Sequence, residues 1–171
     1  RRFLSEHANS TSAASEALTL TGKVALITGG AQRIGACIAR LLHAQGMDLA
    51  LHYHRSAAEA AQLQQALQAK RPDSVLLLQA DLQALERLSD MIEAVQARYG
   101  RLDLLVNNAS AFCPTPLEQA TEAQWNELIG SNLKGPFFLT QAAAPLLRAS
   151  KGAVINLVDI HAQRPLKAHP I

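Results

Sequence analysis

Asp159 stands directly after the apolar run "AVINLV", in the segment "LVDIHAQRPLKAHPI" that ends the chain. A carboxylic acid at the mouth of a buried strand has its pKa raised by desolvation, which suits it to carry a proton to a reacting group. The alternative is a helix or turn cap just beyond the strand. Groups of comparable chemistry follow four other apolar runs. "TGGAQRIG" (28–35) follows the first. There Gly29 permits a tight turn, Gly35 allows a helix beginning near Ile34 to pack closely, and the N–H groups at that helix start can hold a phosphate. Arg33 occupies a position where many dinucleotide-binding turns have glycine, and a plain strand–helix turn with a surface arginine is the rival reading.

The second run ends in His52, Tyr53, His54, Arg55 and Ser56. An NAD site typically has Asp or Glu here to accept from the ribose 2′-hydroxyl. Asp48 lies at the other end of the run. The donors and the cation present instead suit a 2′-phosphate, favouring NADPH/NADP+ over NADH. A solvated basic turn and a His-x-His metal pair are the rivals, the latter without a suitably spaced third ligand nearby. After the third run Asp81 can accept from an adenine amino group, with Leu82 against the ring, or cap a helix. After the fourth, Asn108, Ala109 and Ser110 in "NNASAFCPTP" (107–116) bring small residues and amides where backbone must approach a flat ring. Phe112 can stack on a planar substrate or anchor its loop by burial.

These groups share one side of the molecule only if the runs form one sheet. The strand candidates are 23–28, 48–53, 74–79, 102–107 and 152–158, mostly continuous apolar runs, as strands covered on both faces should be. Between them lie helical patterns. Ile34, Ile38, Leu41 and Leu42 share one face, as do Leu85, Leu88, Ile92 and Val95. Ser56 with Glu59, and Thr121 with Gln124, have capping-box spacing. A last long helix is expected from about 122 to 148, bent near Gly135 and Pro136. Strand–helix alternation predicts an α/β fold, a Rossmann-like doubly wound parallel sheet with helices on both faces. Ligands of such sheets bind outside the carboxyl ends of the strands.

The bulk composition agrees. A chain of 171 residues, 49% of them hydrophobic, can bury one core. A net charge of +2 gives no argument for nucleic acid or an anionic membrane, and no apolar run reaches the length of a membrane span. Cys37 and Cys113 lie far apart without ligand spacing, as expected of free thiols in a reducing cytoplasm. Residues 1–19, rich in Ser, Thr and Ala, are expected to form a mobile extension before a domain over 20–171.

In order along the chain, "TGGAQRIG", "ADL", "NNAS" and "SN" (131–132) resemble the short-chain dehydrogenase/reductase pattern. The match is closer to the pteridine reductases within it. Those enzymes carry Arg in the glycine motif, a segment like "HYHRS", Phe and "PTP" after "NNAS", and Asp in place of the usual catalytic Ser. The resemblance implies an NADPH-dependent, homotetrameric, cytoplasmic reductase of pterins or folates. It implies that Phe112 and the nicotinamide sandwich the pterin, that Arg33 bridges cofactor phosphate and substrate, and that Ser110 bonds in the same pocket. It also implies that Asn132 supports a proton-relay water, that Asp159 helps deliver the proton, and that Leu166 lines the substrate pocket. The family's Tyr-x-x-x-Lys motif falls immediately after Ile171 by this match. The chain is therefore expected to be an inactive fragment holding the first five strands of a larger sheet. A general carbonyl or ketoacyl reductase and a non-enzymatic NADPH sensor are the alternatives.

Overall fold

The computed structural model describes residues 20–171. The extension expected over 1–19 lies outside the described residues. Strands and helices alternate: β1 (Val24–Ile27), α1 (Arg33–Ala44), β2 (Asp48–Tyr53), α2 (Ala57–Gln68), β3 (Val75–Gln79), α3 (Glu86–Tyr99) and β4 (Leu104–Asn107). Then come α4 (Glu122–Ile129), a π turn (Gly130–Lys134), α5 (Gly135–Ser150), β5 (Ala153–Asn156) and a 3-10 turn (Ile160–Ala162). All four strand pairings are parallel, in the order β3-β2-β1-β4-β5. The chain steps outward from β1 to β3 and then returns to the far side of β1. A crevice therefore opens at the carboxyl ends of β1 and β4, where the helices that follow leave to opposite faces.

Two cores flank the sheet, and strand parity assigns residues to them. Val24 and Leu26 of β1 pack with Leu88, Ile92 and Val95 of α3 and Leu139 and Ala143 of α5. Ala25 and Ile27 pack with Ala39 of α1 and Leu63 and Leu67 of α2. The α1 face matches the expected one in part: Ile38 and Leu42 pack against the core. The buried residues are Gly35, Ala39 and His43, at intervals of four, whereas Ile34 and Leu41 are exposed. Small side chains at Gly35 and Ala39 let α1 lie close against the sheet, with Ile38 and Leu42 packing beside them and Ile34 and Leu41 turned outward. The bend expected near Pro136 is the π turn just before it. Pro136 has no N–H for the carbonyl of Asn132, and its ring crowds that carbonyl, so the helical ladder is interrupted there. The outer strand differs too. β5 is expected to be covered on both faces, yet among the described residues all four of its residues are exposed and it pairs only with β4.

Candidate active site

The crevice is held by the side chains that close it. Thr28 Oγ1, just past β1, accepts the N–H groups of Asn108 and Ala109, both at 3.0 Å, and donates to the Val106 carbonyl at 3.4 Å. Asn108 returns its side-chain amide to the carbonyls of Thr28 at 2.8 Å and Gly29 at 3.2 Å. The ends of β1 and β4 are thus stapled by a buried hydroxyl and a partly buried amide. Gly29 has φ +60°, a left-handed conformation that glycine adopts without penalty. A Cβ on Gly35 would lie 2.2 Å from the Gly29 carbonyl oxygen, so α1 begins in direct contact with the turn. No side chain caps α1: Gln32, at the cap position, instead gives its amide to Glu59 Oε1 at 2.7 Å. The first-turn N–H groups of α1 therefore face the crevice without a side-chain acceptor. Arg33 is exposed beside them with φ +47°, an uncommon conformation for a bulky residue.

His52 requires a correction. It was expected to offer a donor to a phosphate, but it is only 2% exposed and both ring nitrogens are engaged. Nε2 lies 3.1 Å from the Ala80 carbonyl, which can only accept, so Nε2 carries the proton. Nδ1 then accepts the Gly29 N–H at 3.3 Å. The His52 carbonyl also takes the Gly30 N–H at 2.9 Å. His52 thus ties the glycine turn to the ends of β2 and β3. Burial pushes its imidazole below the usual histidine range, with neighbouring His54 adding to the effect, since a buried cation beside donors is disfavoured. His54 and Arg55 do stand exposed at the rim, with Tyr53 and Ser56 partly buried. The capping box expected at Ser56 is not formed, because Glu59 is engaged with Gln32. Thr121 and Gln124 form theirs in full. Asp81 accepts the Gln83 N–H at 3.0 Å and lies 3.9 Å from His54 Nε2, while Leu82 is buried behind it.

Past Ser110 the surroundings open. Asn132, in the π turn, grips the Ala111 peptide at both ends: Oδ1 accepts its N–H at 2.8 Å and Nδ2 donates to its carbonyl at 2.8 Å. The side chain of Asn132 thus fixes the loop. Asn107 joins β4 to β5 and α5 by donating to Asn156 Oδ1 at 2.8 Å and Thr140 Oγ1 at 3.2 Å. Phe112 is 64% exposed, and Leu166 is exposed as well. Asp159 lies just past β5. Its side chain is 60% exposed, and Oδ1 accepts the His161 N–H at 3.0 Å, capping the 3-10 turn. Among the described residues β5 ends at Asn156, and Leu157 and Val158 after it are exposed as well.

A cleft of about 750 Å³ gathers Gly29, Arg33, Ile34 and Gly35 with the whole 52–56 segment, Asp81, Leu82, Asn108, Ala109 and Ser110. Phe112, Asn132, Asp159 and Leu166 are not among its lining residues. The cleft also includes Gln83, Ala123, Asn126, Glu127 and Ser131, which sequence reasoning missed. Ala123, Glu127 and Ser131 recur every four residues along one helical face, and Ser131 donates to the Glu127 carbonyl at 2.7 Å. That periodicity was readable; which strand end the face would oppose was not.

This turn, staple and cleft on a parallel sheet have a match among known families. The family model "short chain dehydrogenase" matches residues 23–170, and the chain belongs to that family of oxidoreductases. Among individual relatives, it is 36% identical over 184 aligned residues to Pteridine reductase 1 of Leishmania tarentolae, covering 85% of this chain and 64% of that protein. It is 37% identical over 139 residues to 3-oxoacyl-[acyl-carrier-protein] reductase FabG of Staphylococcus aureus, covering 81% and 56%. A third relative, hydroxynaphthalene reductase arp2 of Aspergillus fumigatus, is 34% identical over 154 residues, covering 90% and 56%. The chain thus spans between 56% and 64% of the length of these relatives.

Proposed function

We propose that the protein containing this chain is an NADPH-dependent reductase of pterins. The observation that carries the reading is the pairing of a cation-rimmed dinucleotide cleft with an exposed aromatic ring just beyond its Ser110 end. The uncapped start of α1 and the closed space at Gly35 support a bound pyrophosphate. His54, Arg55 and Ser56, with no carboxylate at the end of β2, support a 2′-phosphate. His52 serves by holding the turn. A nicotinamide cofactor, when bound, supplies the hydride. The chain's residues then orient the acceptor. Phe112 offers a stacking face, Arg33 a cation for a phosphate or an electron-rich ring edge, and Ser110 a hydroxyl. Asn132 keeps Ser110 and Phe112 in register by gripping Ala111 between them. Reduction of a C=N bond also needs a proton, and Asp159, open to water, exchanges it with solvent and passes it inward.

The similarity to Pteridine reductase 1 supports the pterin, and that to FabG supports a second reading, reduction of a simple carbonyl. One assay separates them. NADPH oxidation by the natural gene product is followed with biopterin, dihydrofolate and a 3-ketoacyl substrate, each repeated with NADH. Pterin-dependent oxidation with preference for NADPH is expected. Ketoacyl turnover without pterin turnover would replace the reading with the second one. Trp125, Leu133 and Phe137 leave an apolar surface on α4, the π turn and α5, which supports self-association, a homotetramer by our reading. The free thiols Cys37 and Cys113 support a cytoplasmic site of action. No helix among the described residues is long and apolar enough to cross a membrane.

A further inference from the structure

We propose that His169 is a positioning residue for the planar substrate, acting through Phe112; the proposal rests on the pterin reading above. The two rings stack with centroids 4.8 Å apart and planes inclined by 13°. An aromatic ring has two faces, and His169 covers one of those of Phe112. Phe112 nevertheless remains 64% exposed, so its other face is open as a platform.

The loop carrying Phe112 has no regular structure and is held on either side of the ring. Asn132 fixes Ala111, and the Thr115 N–H donates to the Ala168 carbonyl at 2.8 Å. Neither anchor touches the Phe112 side chain, so its side-chain torsions are set by the stack. His169 is itself oriented. Its backbone N–H donates to the Leu166 carbonyl at 3.2 Å, and its Nδ1 lies 2.8 Å from the Lys167 carbonyl, which can only accept. Nδ1 therefore carries a proton. Nε2 is buried with no hydrogen-bond partner among the described residues. The ring's role at that edge is thus shape rather than hydrogen bonding, and a purely carbon ring should replace it. The segment that carries Leu166, another residue assigned to the substrate pocket, in this way also fixes the stacking face.

The test uses the natural gene product with biopterin and NADPH, and the variants His169→Ala, His169→Phe, Phe112→Ala and the Phe112→Ala/His169→Ala double. Freeing one side chain that must be ordered again on binding predicts a KM for biopterin raised roughly 3- to 10-fold in His169→Ala. The kcat and the NADPH Kd should stay within about twofold, because the cofactor cleft is untouched. His169→Phe should restore the KM, and the second substitution should add nothing in the Phe112→Ala background. An unchanged KM in His169→Ala, additive effects in the double, or kcat falling together with Tm would overturn the proposal. If the wild type turns over no pterin, the functional reading fails, and the stack is judged without substrate. The His169 ring protons should then show an upfield NMR displacement that disappears in Phe112→Ala; its absence from the wild type would remove the platform as well.

Discussion

The two ends of the site are built by opposite means. At the end we propose for the cofactor, Thr28, His52 and Asn108 are buried or partly buried, and their polar atoms meet backbone groups at the ends of β1, β3 and β4. At the end we propose for the substrate, Phe112, Asp159 and Leu166 are exposed, and their neighbours are loops or the exposed strand β5. The first end is rigid because moving any part strands a buried donor or acceptor. The second is held by a few contacts between loops: the Asn132 amide on Ala111, the Thr115 N–H on the Ala168 carbonyl, the stack on Phe112 and the cap at Asp159. Perturbations at the first end should therefore damage fold and cofactor binding together, whereas those at the second should alter turnover with little effect on stability.

The largest effect is expected from Gly35→Ala. Its Cβ would meet backbone rather than a mobile side-chain tip, so α1 must shift away from the turn. A loss of about 3 kcal/mol of stability, at the upper end for overpacking, is expected in urea unfolding, with NADPH binding abolished. Normal NADPH binding in this variant would show that the cleft is not as tightly closed as we describe.

His52→Ala comes next. It leaves the Gly29 N–H and the Ala80 carbonyl without their partner inside the protein, a loss of roughly 3 kcal/mol. The wild type should also carry a pH signature. In the folded state the imidazole lies below its unfolded value of about 6.5 because burial disfavours the cation, so below that pH the unfolded chain takes up a proton that the folded chain refuses. Stability is then fully present above about pH 6.5 and falls as the pH is lowered toward the folded pKa. Buried His43, shifted the same way by burial and by Arg71, contributes a slope of the same sign. Removing His52 should make the fall shallower without abolishing it. An unchanged slope in urea midpoints between pH 5 and 8 would show that His52 does not resist protonation.

The same contrast explains what could be read from the residues alone. β1, β2 and β4 were legible because strands covered on both faces become continuous apolar runs, and all their boundaries fall within the expected segments. The inward role of His52 was less so. It shares its side of β2 with Ala50, but in a doubly covered strand parity tells which face a residue joins, not that its nitrogens will find partners on two other strands. The surroundings of Asp159 were not legible either. "AVINLV" has the composition of a buried strand, yet composition does not say what covers it, and among the described residues β5 pairs with β4 alone. His169 carried no signal, since its contact with Phe112 joins two irregular loops far apart in the chain.

Asp159→Asn tests the exposed end. Asparagine keeps the cap on the His161 N–H, so stability should change by less than about 0.5 kcal/mol. The kcat for a pterin should fall about 100-fold if the carboxyl moves the proton. Undiminished turnover would reduce Asp159 to a turn cap, and a comparable loss of stability would erase the contrast between the two ends.

Arg33→Gly should cost the fold nothing, and it probes the boundary between the two regions. Arg33 belongs to the buried turn by position and to the open site by its exposed side chain. Its left-handed backbone disfavours any residue with a Cβ by roughly 1–2 kcal/mol, while glycine's greater freedom in the unfolded chain returns up to about 1 kcal/mol of that. A net gain of up to about 1 kcal/mol in stability is expected, together with a higher KM for the pterin. Strain relieved as function is lost would mean that the turn tolerates its arginine for the cation's sake. If stability falls instead, the guanidinium is holding the turn together, and Arg33 belongs with Thr28 and His52 on the rigid side.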